Sequence, residues 1–200
     1  MPAGDDKIWQ TIGGLSPDEV VARTDATFDA ASGLYRVKAF NRDFSLSLKE
    51  KKISSDAPGA DVFLQRLGYF FMSSLTGYLA FARDVLPTGR LVNPVNMKSG
   101  QLFFRGSHVL PLDKVAEKYG NDKNGFLEKG RELGGETLSF GDASFRVHPL
   151  PRVPVVLILW CADEEFPPRA DILFDSCCEL QLPIDVVWAI AMLSVLAVQL

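Results

Sequence analysis

The sequence lacks an excess of basic charge. Its 21 Lys and Arg residues are outnumbered by 25 Asp and Glu, which gives a formal net charge of -4. Nonspecific binding to nucleic acid depends on a basic surface that neutralises phosphates. We therefore expect no nucleic-acid partner.

Cysteine and histidine are also scarce. The three cysteines, Cys161, Cys177 and Cys178, contain no CxxC pair, so they predict neither a disulfide framework nor an iron-sulfur cluster within one chain. The two histidines, His108 and His148, have no histidine four residues away, which argues against a histidine metal site. These residues do not identify a cofactor.

Several motifs are missing. The sequence contains no GxxxxGK[ST] loop, no GxSxG elbow and no D-x-D-x-D-G spacing, which argues against a Walker site, a nucleophilic hydrolase and an EF-hand loop. Residues 1–16 carry acids where a secretory signal needs basic residues. We expect a cytoplasmic protein whose residues 1–15 are a flexible segment before one domain over residues 16–200.

Four segments have features typical of helices. Ser16-Pro17-Asp18-Glu19 is a capping box that predicts a helix to about Arg23. Residues 61–83 show apolar residues at helical spacing and predict a long central helix. Two short helices are predicted over residues 112–119 and 125–133, between glycines.

Residues 184–200 form an apolar run that contains one charge, Asp185. A helix of this length is a little short for a bilayer and lacks basic flanks. We interpret it as a core or oligomer helix and not as a membrane anchor.

Strands are predicted in two regions. Residues 34–40 and 44–48 alternate apolar and polar residues around Asn41-Arg42-Asp43, which indicates a hairpin. Residues 138–147, 153–160 and 170–174 predict three more strands. The pattern favours a single α+β domain: one mixed or antiparallel sheet packed against the long central helix and the apolar C-terminal helix.

The loop between the last two predicted strands is the first candidate site. Asp163, Glu164 and Glu165 follow a strongly apolar strand, where α/β sheets often gather functional groups. Clustered carboxylates could bind Mg²⁺ or Ca²⁺, or raise the pKa of one acid. The alternative is a solvated loop that keeps an apolar strand pair soluble.

The segment FFRGSH is the second candidate. Arg105 offers a bidentate fork for an anion, the Gly106 and Ser107 amides could form a small nest, and His108 adds an imidazole. The alternative is an ordinary turn after an apolar stretch. Asp142 and Asp175 stand at predicted strand ends, where aspartates more often cap local amides than take part in catalysis.

The chain resembles a known family over about residues 15–200. The most specific pieces are PRVPVVLILW with the following DEEFPP loop and LFD, and FFRG with its following His. These are similar to an uncharacterised family of mainly anaerobic prokaryotes, domain of unknown function 3786. The resemblance implies a stand-alone cytosolic protein with an accessory role linked to corrinoid or one-carbon metabolism. The candidate residues it carries over are Arg105, Gly106, His108, Asp142, Glu164, Glu165 and Asp175.

Three hypotheses follow. The first is binding of a small anionic ligand or cofactor by Arg105, Gly106, Ser107 and His108, with Glu164, Glu165 and Asp175 orienting the basic groups. The second is a divalent-metal hydrolase or isomerase that uses Asp163, Glu165 and His108. The third is a non-catalytic homodimeric interaction module joined through the C-terminal helix.

Overall fold

The computed structural model describes residues 3–200, without the side chains of residues 3–5 and 102. The chain starts with helices α1 (Ala3–Gly13) and α2 (Pro17–Thr24). The hydroxyl of Ser16 accepts a hydrogen bond from the Glu19 amide and caps α2 as predicted.

The N-terminal segment differs from the flexible stretch predicted over residues 1–15. Residues 3–13 form α1, which packs against α3 (Gly68–Phe81). Trp9 and Ile12 of α1 are buried, and burial of two large apolar side chains offsets the cost of ordering the helix. Residues 1 and 2 of the predicted segment lie outside the described residues.

The first sheet is an antiparallel meander in the order β1-β2-β3-β4. Its strands are β1 (Thr27–Asp29), β2 (Leu34–Ala39), β3 (Arg42–Ser47) and β4 (Lys52–Ser54). The predicted hairpin is present as β2 and β3, but its turn is shorter than expected. Phe40 and Asn41 alone connect the strands, with φ values of 45° and 60°, as a tight two-residue hairpin turn requires.

The long central helix predicted over residues 61–83 is interrupted. A π-helical turn, Val62–Arg66, precedes α3. The wider turn shifts the helical register, and Phe63 and Phe71 both enter the core, where their ring centroids lie 5.7 Å apart. Gly68 begins α3 at the break, where its low helix propensity favours an interruption.

The second sheet is also antiparallel, in the order β5-β9-β8-β7-β6. Its strands are β5 (Leu91–Val92), β6 (Glu136–Leu138), β7 (Ala143–Leu150), β8 (Val153–Trp160) and β9 (Arg169–Asp175). β8 lies at the centre and is buried over all but its last residue, as its continuous apolar run predicts.

The α+β class is confirmed, but the strands form two sheets where a single sheet is predicted. The N-terminal hairpin does not pair along the C-terminal strands. Among residues 3–200, a backbone hydrogen bond links the two regions, in which the Phe40 amide donates to the His148 carbonyl over 2.9 Å.

The remaining helices cover the second sheet and its ends. They are α4 (Gly100–Phe103), α5 (Leu112–Tyr119), α6 (Lys123–Glu132), α7 (Cys178–Gln181) and α8 (Ile184–Gln199), with short 3₁₀ turns at Pro94–Asn96 and Gly106–His108. α8 packs closely on α3: a Cβ on Gly77 would lie 2.8 Å from Cγ2 of Val186. The absence of a side chain at Gly77 therefore lets the two helices approach closely at this point.

α8 is buried within its own chain. Ten of its residues are buried. It is therefore a core helix, which is the first of the two interpretations, core or oligomer helix, given for residues 184–200. No helix of residues 3–200 has the length and apolar character needed to cross a membrane.

Candidate functional site

The loop after β8 is held by one aspartate. Oδ1 of Asp163 accepts hydrogen bonds from the amides of Glu165 (2.8 Å) and Phe166 (2.7 Å), and the Asp163 amide donates to the Phe166 carbonyl over 3.1 Å. This is a local aspartate turn, which satisfies backbone groups where no strand partner exists. Glu164 and Glu165 are exposed at its tip.

Asp142 fixes the other side of the same region. It is the last residue of the turn between β6 and β7, and its Oδ2 accepts a hydrogen bond from the Cys161 amide over 2.8 Å. The preceding Gly141 has a φ of +57°, and a Cβ there would lie 2.7 Å from Ile158. Only glycine fits this close approach without strain, so the turn is pressed against the end of β8.

A cleft of about 490 Å³ lies between this turn and the loop. Its lining residues are Asp142, Trp160, Cys161, Asp163, Phe166, Pro167, Pro168 and Arg169. Phe166 is 65% exposed, which is unusual for a large apolar side chain beside a concave surface. The volume is within the range of small-molecule sites.

Arg169 is the cation of this cleft. Its guanidinium carbon lies 4.6 Å from the centroid of the Trp160 ring, a favourable cation-π distance. The Trp160 indole also donates to Oδ2 of Asp171 over 3.1 Å. The closest approach of Arg169 to that same carboxylate is 3.9 Å, so the guanidinium keeps hydrogen-bond donors for a further partner.

The thiol of Cys161 also faces this region. Partial burial raises its pKa, and the nearby Asp142 carboxylate raises it further. A thiol with a raised pKa is mainly protonated at neutral pH and is a poor nucleophile. Cys161 therefore lines the cleft, and the direction of its pKa shift does not favour a nucleophilic role.

The FFRGSH segment lies elsewhere. Gly106 has a φ of +58°, and Arg105 and Ser107 are exposed. The His108 ring packs against Phe103 and Trp188, with centroids 4.7 and 4.9 Å away, and its carbonyl accepts from the Trp188 indole over 2.9 Å. None of residues 103–108 lines the cleft.

Asp175 is buried at the far end of β9, with 1% of its surface exposed. Oδ1 accepts hydrogen bonds from the Thr88 hydroxyl (2.8 Å) and the Cys177 amide (2.9 Å), and Oδ2 accepts from the Gly89 amide (2.6 Å). Burial alone would raise its pKa, but these hydrogen bonds outweigh burial and lower it. The contacts give Asp175 a structural role, whereas the anion-binding hypothesis has it orienting the basic groups of the site.

The two candidate segments are not joined by the contacts of residues 3–200. No hydrogen bond, ion pair or aromatic contact there links residues 103–108 with residues 163–175. The same residues contain no group of three or more His, Cys, Asp or Glu side chains that could hold a metal ion. The structure therefore does not assemble the set of Asp163, Glu165 and His108 that the metal-dependent alternative requires.

Arg169 and Trp160 were missed from the sequence. The signal that could have found them is the register of β8 and β9. Trp160 is the last residue of β8 and Arg169 is the first residue of β9, and the two are partners in the antiparallel pairing. An antiparallel pair brings such side chains together across a loop.

Fold and site together define an α+β protein with a small-molecule-sized cleft at one end of an antiparallel sheet. The chain belongs to the family described as Domain of unknown function (DUF3786), whose model matches residues 16–197. No curated protein and no solved structure matches the chain.

Proposed function

We propose that this protein binds a small organic anion in the cleft between the β6–β7 turn and the β8–β9 loop. The observation that carries the proposal is the Arg169 guanidinium, which is stacked on Trp160 at the wall of a cleft of about 490 Å³. Arginine in this position offers two parallel donors to a carboxylate or phosphate group.

The rest of the lining suits an apolar body. Phe166, Pro167 and Pro168 form one side of the cleft, and Trp160 is on the other strand. Pockets of this kind bury the ligand's apolar part and orient it by a few polar groups. The ligand we expect has a ring or chain that packs on these side chains and an acidic group that pairs with Arg169.

The two carboxylates in the lining are already engaged in part. One oxygen of Asp142 is bonded to the Cys161 amide, and one oxygen of Asp163 is bonded to two loop amides. The positive ends of these amide dipoles offset part of the negative charge that each carboxylate presents to an anion. Their second oxygens can accept from a hydroxyl of the ligand.

The segment of Arg105, Gly106, Ser107 and His108 stays a predicted second location for the same anion. We favour the cleft because it is concave and has aromatic walls, whereas Arg105 and Ser107 are exposed. The accessory role in anaerobic, corrinoid-linked or one-carbon metabolism is part of the proposal and rests on the resemblance.

One spectrum tests both locations. The side-chain N–H of Trp160 reports on the cleft, and that of Trp188 reports on the FFRGSH segment because it donates to His108. We expect benzoate to shift the Trp160 resonance in ¹H–¹⁵N spectra and to leave the Trp188 resonance in place. Benzyl alcohol and benzylamine, which have the same ring, should bind more weakly than benzoate.

Two arginine variants complete the test. We expect Arg169→Gln to weaken benzoate binding by roughly tenfold or more, because a hydrogen-bonded charge pair is lost. Arg105→Gln is the matched control and should bind like the unaltered protein. If benzoate shifts the Trp188 resonance and binds more weakly to Arg105→Gln, the site is in the FFRGSH segment. Stronger binding of benzylamine than of benzoate would contradict an anionic ligand.

A further inference from the structure

A second cleft, of about 420 Å³, lies where the end of α3 meets α7 and the turn before α4. We call it the Gln181 cleft. Its lining residues are Phe81, Arg83, Lys98, Ser99, Glu179, Leu180, Gln181, Leu182, Pro183 and Ile184. It shares no residue with the cleft at the end of β8.

Two hydrogen bonds donated by backbone amides fix the walls of the Gln181 cleft. The Arg83 amide donates to the Gln181 carbonyl over 3.0 Å, which ties the end of α3 to α7. The Lys98 amide donates to Oε2 of Glu179 over 2.8 Å, which ties the third segment to the same short helix. The three segments are therefore held together without the long side chains of Arg83 and Lys98.

Those two side chains are uncommitted. Both residues are exposed, and neither side chain forms an ion pair or a hydrogen bond with the side chains that the structure describes. The one acid in the lining, Glu179, already accepts the Lys98 amide. Two cations against one engaged carboxylate give the Gln181 cleft an excess of positive charge, which attracts anions.

Gln181 supplies an independent observation. The residue is fully buried, and its Nε2 and Oε1 both lack a hydrogen-bond partner among the described residues. Buried amide groups are almost always paired, and an unpaired one is costly to keep. An unpaired glutamine at a cationic cleft is expected if a bound ligand supplies the hydrogen-bond partner that its amide lacks.

Ser99 adds a backbone feature. It adopts a φ of +66°, and its hydroxyl makes no capping hydrogen bond to α4. A left-handed serine is strained, and such strain is often found at binding sites. The conformation places Ser99 in the lining with a free hydroxyl donor.

We propose that the Gln181 cleft binds a phosphate group. Arg83 would bind the anion through its two-donor fork and Lys98 as a point charge. Gln181, whose amide is buried beneath the lining, would donate from Nε2 after its side chain turns toward the anion. Because the cleft is larger than a phosphate, the group belongs to an organic phosphate whose remainder packs on Phe81, Leu180 and Ile184. The inference is independent of the function proposed above.

The test uses the intact protein with two probes, inorganic phosphate and phenyl phosphate, and phenol as the uncharged control. The side-chain N–H₂ resonances of Gln181 are followed in ¹H–¹⁵N spectra. We expect both phosphates to shift them, with phenyl phosphate the tighter of the two, and phenol to have no effect. Tighter binding of inorganic phosphate than of phenyl phosphate would identify the free ion as the ligand. It would overturn the inference that the phosphate group belongs to an organic phosphate.

Matched variants decide the role of the cations. Arg83→Gln and Lys98→Gln should each weaken phenyl phosphate binding by roughly tenfold or more, and Arg36→Gln, at an exposed position on β2, should not. Equal affinity in all three variants, or Gln181 resonances that do not move at millimolar phosphate, would overturn the proposal.

Gln181→Met separates a binding role from a structural one. Methionine keeps the length of the side chain and removes the unpaired amide, so we expect a higher Tm together with weaker phenyl phosphate binding. A lower Tm would show that the amide is satisfied inside the unliganded fold, and the proposal would lose its third donor.

Discussion

The two ends of β9 use acidic residues in opposite ways. At the start of the strand, Glu164 and Glu165 extend into solvent and Asp163 closes a surface turn. At its end, Asp175 is buried and accepts hydrogen bonds from Thr88, Gly89 and Cys177. The comparison shows that the position of a carboxylate in the fold, and not its residue type, decides whether it is structural or available.

The buried end should be the more sensitive to mutation. We expect Asp175→Ala to lower the free energy of unfolding by about 3 kcal/mol, because it leaves buried donors of two separate segments without an acceptor. Asp175→Asn keeps one acceptor oxygen, so its free energy of unfolding should lie between those of Asp175→Ala and the unaltered protein. Urea unfolding of the three proteins measures this, and an alanine variant as stable as the unaltered protein would contradict the structural role.

The dependence of stability on pH should also reveal the structural role of Asp175 at the buried end of β9. The pKa of Asp175 is lowered in the folded protein, so its carboxylate stabilises the fold above the unfolded pKa of about 3.9. That stabilisation is lost as the pH falls through the folded pKa. The stability of Asp175→Asn should therefore depend less steeply on pH below about 4.

The turn at the start of β9 should show an intermediate effect. We expect Asp163→Ala to cost about 1 kcal/mol, because two exposed amide hydrogen bonds are lost. The amides of Glu165 and Phe166 should then exchange hydrogen faster. Asp163→Asn keeps the accepting oxygen and should restore slow exchange, and fast exchange in both variants would show that Oδ1 does not hold the turn.

The exposed tip should show the smallest effect. We expect the double variant Glu164→Gln, Glu165→Gln to leave the urea midpoint unchanged, because neither side chain takes part in a hydrogen bond or ion pair with the described residues. Benzoate binding should tighten by less than about fivefold, and less at high salt, because two repelling charges are removed. A loss of stability would place these glutamates in the structural group with Asp175.

Much of the fold follows from local sequence. The capping box at Ser16, the hairpin of β2 and β3, the apolar strand β8 and the helix α8 were all predicted near their observed bounds. Each of these signals lies within one continuous segment of the chain. The three-residue strands β1 and β4 were missed, because they are too short to show an alternating pattern.

The candidate sites follow from sequence less well. The loop around Asp163 was found because its acids interrupt an apolar strand pair. Arg169 was not, because its importance depends on pairing with Trp160 across that loop. The Gln181 cleft joins residues from three segments, from Phe81 to Ile184, and no spacing in the sequence indicates that they meet.

The sequence by itself determined the α+β class and most of the helices and strands, because capping, periodicity and apolar runs act over a few residues. Only the tertiary structure decided that the strands form two sheets, that α1 packs against α3, and that Asp175 is buried. These outcomes depend on which distant surfaces pack against each other. That choice is made by the burial of the whole core, to which each local pattern contributes only a part.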